Sequence, residues 1–139
     1  MWIQDLALGH KYEDEAIKLL GEGKIEQAPR NKKFSDWDFK HNDIAYEVKS
    51  DRRAYQTGNL CIEYEHSNVP SGISVTKADY WLYFVIIPDI QIPYRLYKIP
   101  TSVLNNVVSN PETRTWYTDN GNSRFYLVPY SLFNDYLIN

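Results

Sequence analysis

The sequence predicts an α/β domain with a central mixed β-sheet flanked by helices. Three observations predict it. Apolar residues at helical spacing open the chain, short alternating segments separated by turn residues follow, and a nearly all-apolar run rich in β-formers lies at residues 80–87. Over the first 90 residues the order helix, strands, short helix, strand points to a sheet with helices on its faces.

Leu6, Leu8, Tyr12, Ala16, Leu19 and Leu20 recur at roughly helical spacing, and Gly21 and Gly23 end that helix. Residues 24–28 form a short strand closed by Pro29. Residues 34–39 and 44–49 read as two strands of a hairpin across the polar turn Lys40-His41-Asn42-Asp43. A polar loop over 51–58 leads to a third strand at 60–64. Ser74 or Thr76 is placed to cap a short helix through Asp79. The run at 80–87 reads as a strand covered on both faces. Beyond it come a strand at 95–99, a helix from Pro100 to about Val108, a strand at 115–118, a turn at 119–122, a strand at 124–128 and a short helix from Ser131.

A length of 139 residues suits a single domain spanning 1–139, with a core over about 1–90 and an elaboration over about 91–139. With 43% hydrophobic and 24% charged residues, the composition is that of an ordinary globular domain. The single cysteine, Cys61, excludes an internal disulfide and a cysteine-based zinc site. His10, His41 and His66 show no zinc spacing. The opening residues lack the basic start and apolar stretch of a signal peptide, and no apolar run reaches membrane length. The expectation is a soluble, cytoplasmic protein with no membrane partner.

The chemistry lies in Phe34-Ser-Asp-Trp-Asp-Phe39 and Ile44-Ala-Tyr-Glu-Val-Lys-Ser50. Alternation puts Glu47 and Lys49 on one strand face, about 7 Å apart, and turns Val48 to the core. A carboxylate on the neighbouring strand, Asp38, joins them. Phosphodiester hydrolysis uses such a set. Mg²⁺ takes oxygen ligands, commonly one or two carboxylates with waters and phosphate oxygens. Asp38 and Glu47 are the candidate carboxylates and the Val48 carbonyl a third oxygen. Lys49 is the candidate for orienting the attacking water or stabilising charge on phosphorus, and burial beside a cation would lower its pKa towards a proton-transfer role. Asp36 competes with Asp38, since both have the same parity.

Asp38 followed by Glu47-Val48-Lys49 resembles the signature of the PD-(D/E)XK nucleases: an acidic residue, a gap, then Glu-x-Lys on the next strand. Gly9-His-Lys-Tyr-Glu13 is similar to the Gly-x-x-x-Glu segment of archaeal Holliday-junction resolvases. The resemblance covers roughly residues 9–87 and departs from the family in having no Pro before the acidic residue. It implies a restriction-endonuclease-like fold, Mg²⁺ (or Mn²⁺) bound with the help of Glu13, and a metal-dependent DNA endonuclease of junction-resolving or homing type. With no separate recognition domain, a homodimer is expected to cut both strands.

Lys32, Lys33, Arg52, Arg53, Gln56 and Lys77 are the candidates for DNA contact. The net charge of -3 and the isoelectric point near 5.6 run against a dedicated nucleic-acid binder, although acidic metal ligands offset part of that argument. The competing readings are specific. Glu47 and Lys49 also fit the solvated face of a strand, Glu13 a helix surface within Glu13-Asp14-Glu15, and Glu63, which could reach the site from the third strand, fits better a solvated face of that strand. Tyr80 and Trp81 suit the core better than a base-stacking platform. A second function class is a catalytically silent nucleic-acid-binding or protein-interaction module, which a metal-dependent cleavage assay separates from a nuclease.

Overall fold

The computed structural model describes residues 2–29, 36–88, 93–118 and 120–139, with side chains from residue 7 onward. Helix α1 (Trp2–Leu20) opens the chain. It is followed by β1 (Ile25–Gln27), β2 (Phe39–His41), β3 (Ile44–Asp51), the one-turn α2 (Ala54–Thr57), β4 (Asn59–His66), β5 (Val69–Pro70), β6 (Tyr80–Ile86), β7 (Tyr94–Pro100), α3 (Thr101–Val108), β8 (Arg114–Tyr117) and β9 (Ser123–Pro129). A mixed sheet has the order β1-β2-β3-β6-β7, and an antiparallel sheet has the order β5-β4-β9-β8. Within the first sheet only β3 and β6 run parallel, with Glu47 level with Trp81, Lys49 with Tyr83 and Asp51 with Val85.

The apolar run is buried on both faces, as its composition predicts. Leu82 and Phe84 pack with Tyr12 and Ala16 of α1 and with Phe39, Tyr46 and Val48. Trp81, Tyr83 and Val85 face the other way, into a larger core with Leu60 and Ile62 of β4, Leu104 of α3, Val128 of β9 and Phe133. The mixed sheet is therefore flanked by α1 on one side and mainly by a second sheet on the other, where helices were expected. Residues 94–139 supply β7 and two strands of that second sheet, joined to β4 of the first half through β9.

Three local expectations are corrected. Strand β2 begins at Phe39, so Asp36 to Asp38 precede it in irregular backbone; the start of the expected strand at 34–35 lies outside the described residues. The hairpin turn is the two-residue pair Asn42-Asp43, both left-handed at φ 51° and 68°, a conformation that Asn and Asp tolerate and that matches the twist of the flanking strands. Lys40 and His41 therefore belong to the strand. No helix forms over 76–79. A 3-10 turn occupies Gly72–Ser74, and Thr76 and Lys77 instead bond the backbone carbonyl of Asp36. Gly72 is required there, because at φ 52° a Cβ would overlap the carbonyl oxygen of Glu63.

Candidate active site

Strand β2 is shorter than β3. It pairs only with Ile44 to Tyr46, so the same edge of β3 is open from Glu47 onward. Asp38 extends the ladder into that gap. Its N–H donates to the Tyr46 carbonyl at 2.9 Å, and its Oδ2 accepts the Val48 N–H at 2.7 Å. Within a strand residue the C=O points to the same side as the N–H, so the Val48 carbonyl also faces this open edge. Val48's side chain lies in the core beneath α1.

Alternation then places Glu47 and Lys49 together on the face that carries Trp81 and Tyr83. Lys49 Nζ lies 3.8 Å from Glu47 Oε2 and 5.7 Å from the Trp81 ring centre. The Glu47 side chain is 13% exposed and that of Lys49 39%, so the carboxyl is sunk and the ammonium forms the rim. Glu47 also receives a long 3.5 Å bond from the Thr76 hydroxyl. Trp81 is fully buried and is a wall of the site, not a stacking platform.

Burial pushes the Glu47 carboxyl up to about 8. Lys49 opposes that shift, while the charge of Asp38, a hydrogen bond with it, and the charge of Glu13 add to it. Glu47 thus holds a proton near neutrality, beside Asp38. Burial works to lower the Lys49 ammonium, but Glu47, Asp38, Glu63 and Glu13 outweigh it and the net shift is upward. The expectation of a lowered lysine applies to burial beside a cation; in the field of these carboxylates alone the shift runs upward. In this field Lys49 is a fixed cation, suited to stabilising negative charge and poorly suited to giving up its proton.

Glu13 on α1 thus bears electrostatically on both Glu47 and Lys49, and Glu63 on β4 bears on Lys49. Glu63, expected on a solvated face, accepts a 2.9 Å bond from the Ser71 hydroxyl and is held where the bulge in β4 and the Gly72 turn meet. Parity within one strand carried no signal for this, because it arises between sheets. Asp36 is drawn aside to an ion pair with Lys77 at 3.8 Å.

Among the described residues, the expected DNA contacts do not form one cluster. Lys32 and Lys33 lie outside the described residues. Arg52 is exposed on the α1 side, where it opposes the upward shift that burial imposes on the Tyr12 hydroxyl. Arg53 turns the other way and lines a cleft towards β8. Gln56 is exposed on α2, and Lys77, with a 74% exposed side chain, stands beside Asp36.

Among the described residues no three His, Cys, Asp or Glu side chains form a ready-made metal cage. No helix among them is long and apolar enough to cross a membrane. Compared with known proteins, the chain matches no family model, no curated protein and no solved structure.

The raised Glu47 pKa has a testable sign. Below the ordinary value of 4.5, folded and unfolded chains both hold the proton; between 4.5 and about 8 only the folded chain does. Stability therefore falls as pH rises through that window. A divalent cation at the pair competes with the proton, so its stabilising effect should grow over the same window. We predict that the rise in unfolding midpoint on adding Mg²⁺ increases with pH and is absent in Glu47→Gln. A pH-independent rise, or one retained by Glu47→Gln, places the cation elsewhere.

Proposed function

We propose that this protein is a metal-dependent endonuclease that hydrolyses DNA phosphodiester bonds, with Asp38, Glu47 and Lys49 as its catalytic residues. The observation that carries the reading is the sunken Asp38–Glu47 pair with the Lys49 ammonium 3.8 Å from Glu47, at the open edge of β3. A solvated strand face would leave both charges in water, with no reason for the carboxyl to hold its proton to about 8.

The donor set suits a hard cation such as Mg²⁺ or Mn²⁺. Two carboxylates and a backbone carbonyl are oxygen donors, and a cation would offset the burial and the neighbouring negative charge that now keep Glu47 protonated. Asp38, Glu47 and the Val48 carbonyl would hold it, with Glu13 nearby to add negative charge. Asp38 is held in place by the Val48 N–H on its Oδ2 and by its hydrogen bond with Glu47, whose proton a cation would replace. When bound, the metal would polarise the phosphate and acidify a water. Lys49 supplies a preorganised positive charge towards the phosphoryl oxygens as negative charge develops on them. The face of Trp81 walls one side of that charge, and the exposed rim leaves the other side open to a phosphate. Cutting both strands of a duplex takes two such sites, which a two-fold pair of chains would supply.

The test is incubation with linear, branched and single-stranded DNA, with Mg²⁺ or Mn²⁺ and with EDTA. Cleavage that depends on the metal and stops in EDTA is the expected result. Undiminished cutting in EDTA removes the metal mechanism, and binding without cutting in any metal favours a silent binding module on the same scaffold.

A further inference from the structure

The outer face of the second sheet holds a second group of residues that the nuclease chemistry does not use. Pairing across β4, β9 and β8 aligns Cys61, Leu127 and Arg114 in one row. The next row on the same face is Glu63, Phe125 and Trp116. Trp116 packs against Phe125 with ring centres 5.8 Å apart and remains 44% exposed. Between this face and the end of β3 lies a cleft of about 500 Å³, lined by Arg53, Arg114, Trp116 and Asp51 among others.

Among its lining residues one carboxylate stands against two guanidinium groups. Asp51 is its carboxylate, and both of its oxygens are engaged by the fold. Oδ1 accepts the N–H groups of Arg53 and Ala54, and Oδ2 accepts the Tyr83 hydroxyl. Among the described residues neither Arg53 nor Arg114 makes an ion pair. Two guanidinium groups and an exposed indole thus share one recess. That recess adjoins the candidate active site, because Asp51 is two residues beyond Lys49 on the same strand face.

We propose that this cleft binds an unpaired nucleotide of DNA, its base stacked on Trp116 and its phosphates held by Arg53 and Arg114, beside the scissile position. Arginine matches the fork of a phosphate, and an aromatic ring offers a face that every base can use. A base inside a duplex has both faces covered, so the occupant is single-stranded or displaced from its stack. The proposal rests on the nuclease reading for its substrate class. It gives the residues after 90 a role in selecting single-stranded or branched DNA.

The test measures fluorescence anisotropy of a fluorescein-labelled 12-nucleotide single strand and of the same sequence as a duplex, in EDTA, with the full chain. The single strand should bind more tightly than the duplex. Trp116→Ala should weaken single-strand binding by about tenfold, the order expected when one base no longer stacks on an aromatic ring, whereas Trp116→Phe keeps most of the affinity. Arg53→Ala with Arg114→Ala should flatten the salt slope by about 0.7 for each phosphate that is no longer neutralised. Equal affinities for all these proteins, or no single-strand binding, overturn the cleft. Cleft-dependent binding without metal-dependent cutting supports the cleft and removes the nuclease reading. Metal-dependent cutting with cleft variants that bind and cut like the unaltered chain does the reverse.

Discussion

Replacing Glu47 with Gln should abolish Mg²⁺-dependent cleavage while leaving the chain folded. Gln keeps the size of the side chain and can still meet Thr76 and Asp38, but it carries no charge for a cation and nothing for Lys49 to pair with. The expected loss is at least the roughly thousandfold effect of removing one electrostatic stabiliser. Stability should move the other way. Glu47 is held protonated up to about 8 by burial and by Asp38, and Gln removes that cost, so the metal-free unfolding midpoint should rise at alkaline pH. Asp38 behaves differently under substitution. Its Oδ2 accepts the Val48 N–H, so Asp38→Ala leaves a backbone donor unsatisfied and should cost about 1–3 kcal/mol of stability. Asp38→Asn keeps an acceptor and is the cleaner probe of activity. Asp36→Ala should leave cleavage near its starting level, because the Asp36 side chain pairs with Lys77. Single-turnover rates for these variants, alongside thermal unfolding, decide the assignment; loss of activity in Asp36→Ala but not in Asp38→Asn would transfer the ligand role to Asp36.

Lys49→Ala should lower the cleavage rate by about two to three powers of ten and change DNA affinity in Ca²⁺ little, since the ammonium acts on charge that develops only in the transition state. Its surroundings explain why. Four carboxylates hold the ammonium protonated against the effect of burial, so it is a permanent cation fixed between Glu47 and the face of Trp81. Lys49→Arg retains the charge but replaces a compact ammonium with a planar fork, and it should restore only part of the rate. Single-turnover cleavage in Mg²⁺ is compared with equilibrium binding in Ca²⁺. An equal loss in both would make Lys49 a phosphate-binding residue, and a loss in neither would return Glu47 and Lys49 to the role of a half-buried structural ion pair.

The sequence by itself determined the elements with strong local patterns. The opening helix, the Ile44 strand, the strand buried on both faces and the helix after Pro100 all follow from periodicity and from the φ preference of proline. Period-two alternation alone placed Glu47 and Lys49 on one face and Val48 in the core. What alternation could not decide was what stands across from that face. The second sheet depends on β4 pairing with β9, partners more than 50 residues apart, and no local pattern encodes such a pairing. It brings Glu63 into the field of Lys49 and creates the cleft of Arg53, Arg114 and Trp116. The choice between Asp36 and Asp38 was likewise tertiary. Both have the same parity, but β2 starts only at Phe39, and the irregular backbone before it turns Asp38 to the open edge of β3 and Asp36 to Lys77. The direction of the Lys49 shift had the same origin, because a pKa follows the sum of charges in space, and the carboxylates that set it come from α1, the segment before β2, β3 and β4.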